Sequence, residues 1–97
     1  MLTGKQKRFL RAKAHHEKPL FQIGKGGVNE NLTKQLDDLL EKRELIKVAV
    51  LQNCLEEKDD IAAQLVDGTD ACLVQIIGNT IVLYRESVEN KTITLPN

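Results

Sequence analysis

Residues 22–29, QIGKGGVN, place three glycines and one lysine between a short apolar run and a periodic leucine segment. Glycine loses more conformational freedom on folding than any other residue, so this density needs a physical reason. A tight turn uses glycine to reach a positive φ. A phosphate-binding loop uses it so that a bulky anion can approach the backbone. A loop that leaves a strand and enters a helix also gathers unpaired N–H groups at one spot, where the helix dipole adds partial positive charge. Gly24, Gly26 and Gly27 carry no Cβ to obstruct that spot, and Lys25 adds a mobile cation at its tip. The chemistry on offer is capture of a phosphate, as in a nucleic-acid backbone. The plainer alternative is a turn alone, with Asn29 capping the helix that follows.

Nucleotide hydrolysis does not fit the loop. GKGGV also begins some ATPase phosphate loops, but those continue into Gly-Lys-Ser/Thr, whose lysine grips the terminal phosphates and whose hydroxyl holds magnesium. Here the continuation is NENL. A GxGxxG dinucleotide fingerprint fails because Asn29 stands at the final glycine position.

Other candidate groups read more simply as structure. His15 and His16 point about 100° apart on a helix and have no cysteine or acidic partner at ligand spacing, so no metal is expected. Glu56, Glu57, Asp59 and Asp60 suit the acidic start of a helix better than a catalytic carboxylate pair. Tyr84, at the end of a strand, suits sheet packing better than base stacking. No nucleophile–base arrangement is evident, so neither an enzyme nor a cofactor is expected.

The charge distribution favours the binding reading. Net charge is zero, yet residues 1–27 hold seven lysines and arginines against Glu17 alone. Such asymmetry points to a polyanion partner for the basic part. The segment from about Thr3 to His16 reads as a helix. Leu2, Phe9, Leu10 and Ala14 fall on one side, and Lys7, Arg8, Arg11 and His15 on the other. Lys13 lands in the apolar arc and must snorkel out along its stem. Lys18 and Lys25 flank the glycine loop. A GxxG loop at a helix N-terminus that clamps backbone nucleotides is the device of KH domains.

These residues must be positioned by a small domain. Ninety-seven residues allow one domain, spanning 1–97, with a core built from aliphatic side chains because aromatics are only 3%. The N-terminus has no continuous apolar region of a secretory signal, and no run reaches membrane-spanning length. Cys54 and Cys72 lie in or beside apolar runs without CxxC spacing, which predicts buried, reduced thiols and a cytoplasmic protein. Pro19–Ile23 reads as a short strand. Asn29 caps a helix with Leu32, Leu36, Leu39 and Leu40 on one face. Leu45–Leu51 is a buried strand. EEKDDIAAQLVDG is a third helix ended by Gly68. Two apolar strands then flank Gly78–Asn79, a two-residue hairpin signal. The order α-β-α-β-α-β-β predicts an α/β fold, with parallel pairs between helix-linked strands, a final antiparallel hairpin, and a mixed four-stranded sheet packed with helices. The KTITLPN tail reads as a short edge strand or as an unstructured trail.

The motifs KQKRFLRAKAHHEKP, QIGKGGVNENL, RELIKVAVLQNC and LVQIIGNTIVLYR follow one another over nearly the whole chain. In them the sequence resembles the CRM domain (chloroplast RNA splicing and ribosome maturation) in its single-domain bacterial form, the YhbY family. Only the tail from Glu86 carries no such signal. The resemblance implies a fold similar to the C-terminal domain of translation initiation factor three. It also implies RNA binding and association with precursors of the large ribosomal subunit. Its RNA contact maps onto Gly24, Lys25, Gly26 and Gly27, with a basic N-terminal helix beside them. Residue geometry adds Lys7, Arg8, Arg11 and His15 to the contacting face, and Lys18 flanks it. The alternative from another class is a protein-interaction module whose RNA contact is incidental.

Overall fold

In the computed structural model, which describes residues 2–97, the first helix opens on a capping box. The Gln6 N–H donates to Thr3 Oγ1 at 3.1 Å and the Thr3 N–H to Gln6 Oε1 at 3.0 Å. Helix α1 then runs Gly4–Ala14, with His15 as its C-cap, slightly shorter than the predicted segment. Its inward face is the predicted one: Leu10 and Ala14 are buried, and Leu2 and Phe9 pack at the margin. Lys13 does snorkel, its ammonium lying 5.8 Å from the Phe9 ring centroid.

Strand β1 is Phe21–Ile23, so Pro19 precedes it rather than opening it. Asn29 caps helix α2 (Glu30–Arg43), its Oδ1 accepting the Leu32 N–H at 2.8 Å. Leu36 and Leu40 are fully buried, and Leu32 and Leu39 pack beside them. Strand β2 (Leu45–Val50) follows, then helix α3 (Lys58–Thr69). Gly68 does not end α3. The helix runs one residue further and stops at Asp70, which takes the left-handed conformation at φ 59°. Gly68 instead lets two helices approach, since a Cβ there would lie 2.8 Å from Thr33 Cγ2 on α2. Glu56 and Glu57 lie before the helix, leaving Asp59 and Asp60 in its first turn. The hairpin forms as predicted, β3 (Cys72–Ile77) and β4 (Thr80–Tyr84) turning at Gly78, φ 56°.

The sheet order is β1-β2-β4-β3. Only β1–β2 is parallel, because β4 inserts between β2 and β3 and pairs antiparallel with both. The expected parallel neighbour of β2 is thereby displaced. Strand β4 suits the centre: Ile81, Val82, Leu83 and Tyr84 are all buried, two to each face. Helices α2 and α3 cover one face over the larger core, which includes Ile46, Val48, Ile61, Leu65, Ile81 and Leu83. Helix α1 packs on the other face, against Leu45, Val74, Val82 and Tyr84.

The tail forms no strand, yet it is held closely. Glu44, fully buried at φ 64°, accepts N–H groups from Ser87 (2.9 Å), Thr92 (2.6 Å) and Ile93 (2.9 Å). Burial works to raise the Glu44 carboxyl, but these donors outweigh it and hold it below its ordinary value. The N–H groups of Val88 and Glu89, with the Ser87 hydroxyl, hold neighbouring Glu41 down to about 2. Ile93 is thereby pressed into the cluster around Leu10 and Ala14, so the tail supports α1. Cys54 and Cys72 are free thiols and half-buried, less enclosed than expected.

Candidate nucleic-acid interface

The glycine loop forms where β1 ends and α2 begins. The Gly27 N–H donates to Gly24 O at 3.0 Å, closing a tight turn with Lys25 and Gly26 exposed at its tip. Two of the three glycines have a reason within the fold. Gly27 sits at φ 64°, and a Cβ there would meet Glu56 Oε2 at 2.6 Å. A Cβ on Gly24 would press on Asn53 Oδ1 at 3.2 Å. A Cβ on Gly26 would meet nothing within 4 Å, so no neighbour within the chain demands glycine there. Among the described residues, none accepts the N–H of Lys25, Gly26 or Val28. These amides lie at the positive end of the α2 dipole, with open space around Gly26 and the exposed Lys25 next to it in the chain.

Two neighbours of the loop escape sequence reading. Asn53 and Glu56 lie in the connection between β2 and α3 and reach the loop only through the parallel pairing of β1 with β2. Glu56 Oε1 is held by the Gln64 amide at 2.8 Å, which leaves Oε2 toward Gly27. Its charge disfavours an anion on that flank and directs approach to the Lys25–Gly26 side.

The remaining predicted cations, Lys7, Arg8, Arg11 and Lys18, are all exposed, as is His15. The two ion pairs among the described residues, Arg85–Asp37 and Lys91–Glu86, involve none of them. They do not cluster around the loop, however. Helix α1 lies on the sheet face opposite α2. Its C-terminal end, at Lys13, shares a groove with Arg43 at the far end of α2 from the glycines. Fourteen residues of α2 separate those ends by about 20 Å at 1.5 Å per residue. The structure thus provides a loop site and a separate cationic helix, joined by the segment that carries Lys18 into β1.

His15 and His16 meet edge to face, ring centroids 5.6 Å apart, and both are exposed. No group of three or more His, Cys, Asp or Glu is placed to hold a metal among the described residues. Tyr84 is buried in the sheet, where burial and the nearby Glu44 and Glu86 charges raise its hydroxyl pKa. No described helix is long and apolar enough to cross a membrane.

A family model described as CRS1 / YhbY (CRM) domain matches residues 2–85. The chain is 69% identical over 96 residues to a Bacillus subtilis protein named "Probable RNA-binding protein YqeI", covering 99% of this chain and all of that one. It is 42% identical over 95 residues to a Haemophilus influenzae protein named "RNA-binding protein", covering 98% and 95%. The solution structure of the protein SAV1595 from Staphylococcus aureus superposes with a TM-score of 0.82 at 62% identity, covering 99% and 100% of the two chains.

Proposed function

The chain belongs to the CRS1 / YhbY (CRM) domain family, and from that premise we propose that it binds RNA through the exposed GKGG turn. We further propose that the RNA is that of precursor large ribosomal subunits in the cytoplasm, whose assembly the protein assists by occupying a structured site. The observation that carries this reading is the tip of the turn: unpaired amides, a helix N-terminus, Lys25, and open space around Gly26. The relatives named for RNA binding support the class of partner. Contact is mainly to phosphate, since the loop offers amides and a cation but no aromatic face. Shape therefore counts for more than base identity. The α1 cations, the Lys18 segment and His15 add to the same electrostatic footprint.

The test is the paired substitution Lys25→Asp and Gly26→Asp. Both positions are exposed and neither requires a positive φ, so the fold tolerates the change. Binding to ribosomal RNA and co-sedimentation with large-subunit precursors are expected to fall sharply. Wild-type log affinity should drop with log salt at a slope of about 3–5 for four to six phosphate contacts. Undiminished co-sedimentation of the folded variant would remove the loop from the interface. A second reading, docking of a protein, draws on Leu55 (80% exposed) and Leu51 (39%) close to the turn. Nuclease treatment before sedimentation separates the two, because a protein dock survives it.

A further inference from the structure

The two sheet faces are covered unequally. Under α2 and α3, Ile23, Val48, Val50 and Ile81 are all buried. On the α1 face, helix coverage stops short. The register aligns Gln22, Ala49, Thr80 and Ile77 in one row across all four strands. Gln22 is exposed, Ala49 and Thr80 are half-exposed, and Ile77 is 56% exposed. In the next row Lys47 and Gln75 flank Val82, which α1 covers while leaving both of them half-exposed. The result is an open strip with its first residue two positions before Gly24 and its far side against α1.

The charge of the two layers differs in sign. Helix α1 contains no acidic residue, and Lys47 is the strip's one ionisable group. Helices α2 and α3 carry seven Asp or Glu, four in the first and three in the second, against four Lys or Arg. A polyanion is attracted to the α1 face and repelled from the opposite one.

We propose that this strip is a second RNA-contacting surface, over which a strand held at the GKGG turn passes toward the cations of α1. The inference rests on the RNA-binding reading above and gives it a route between two sites that the fold keeps apart. Three inter-strand spacings make the row about 14 Å wide, comparable to the four-stranded sheets that engage two or three bases. The strip differs from such sheets in having no aromatic side chain. Lys47 serves a phosphate, and the amides of Gln22 and Gln75 with the Thr80 hydroxyl serve ribose 2′-hydroxyls. This surface therefore prefers RNA to DNA with little regard to sequence.

Fluorescence anisotropy with labelled oligouridine and oligodeoxyuridine of equal length, over a salt series, tests the inference. Lys47→Gln keeps the side-chain stem and is expected to reduce the salt slope by about 0.7, the loss of one phosphate contact. The Gln22→Ala/Gln75→Ala pair is expected to weaken RNA binding by about five- to tenfold while leaving DNA binding unchanged. Lys42→Ala, on the opposite layer, serves as the comparison and should leave both unchanged. Circular dichroism verifies the fold of each variant. Wild-type affinity, slope and RNA preference in both strip variants would overturn the inference while leaving the loop reading intact. A protein-docking role for the strip predicts that same null result. Failure of the wild-type protein to bind RNA at all would overturn the loop reading and the strip together.

Discussion

Glu44 offers the most quantitative test of how the fold supports its surface. Replacing it with alanine removes the acceptor for the Ser87, Thr92 and Ile93 amides. An unpaired buried donor costs about 1–3 kcal/mol, so leaving the tail in place with three of them would cost about 3–9 kcal/mol in total. The tail has a cheaper route, which is to detach and hydrate. Detachment forfeits the burial of Ile93, about 1.5–3 kcal/mol, and uncovers part of the Leu10–Ala14 cluster. The lower of these two routes sets the outcome, giving an expected loss of about 3 kcal/mol. For a domain of this size that lowers Tm by about 12–24 °C. Two companions separate the clamp from the backbone conformation. Glycine relaxes the φ 64° conformation, so Glu44→Gly should be less damaging than Glu44→Ala by about 1 kcal/mol. Glu44→Gln keeps an oxygen for Thr92 and Ile93 but can turn its NH2 toward the Ser87 N–H, and should fall between wild type and glycine. Thermal and urea denaturation give the energies, and hydrogen exchange at residues 87, 92 and 93 reports tail release. An alanine variant within about 1 kcal/mol of wild type, or one more stable than the glycine variant, would refute the clamp.

Four further outcomes are expected. Glu41 and Glu44 have folded pKa values below their ordinary 4.5. Their stabilisation is complete above that pH and is lost as pH falls, toward about 2 for Glu41. Urea midpoints measured over this window should drop, and drop less in Glu41→Gln. Gly27→Ala should cost about 1–2 kcal/mol in thermal denaturation because of its φ and the Glu56 contact, while Gly26→Ala should be near neutral. Gly68→Ala should lose stability through its clash with Thr33, and adding Thr33→Ser should turn the loss into a gain of up to about 1 kcal/mol. Glu56→Gln keeps the oxygen that binds Gln64 and removes a charge beside the turn, so RNA affinity should rise about two- to threefold at low salt.

The elements were legible where their signals are local. Asn29 precedes a leucine period and caps it, and Gly78–Asn79 lies between two apolar runs and turns them. The strand order was not legible, because β4 reaches β2 across some thirty residues and nothing in TIVLY states which neighbour it will take. Gly68 misled because a glycine near a helix end usually stops it, whereas this one admits Thr33 from another helix. Glu44 carries no local sign of its role: its partners lie 43 to 49 residues downstream, and a glutamate at positive φ breaks the usual preference for glycine. At the candidate site, the turn and the exposed cations were readable from residue type. The separation of α1 from the loop was not, because it depends on which sheet face each helix covers.

The opposite signs of the two helical layers have an effect before any contact is made. A molecule with no net charge but with its positive and negative sides segregated is an electric dipole. The field of a nearby polyanion turns it so that α1 leads, and the turning precedes capture. Added salt should therefore slow the encounter itself as well as weaken the complex. In its absence, copies of the protein attract one another front to back and lose solubility close to the isoelectric point of about 6.7.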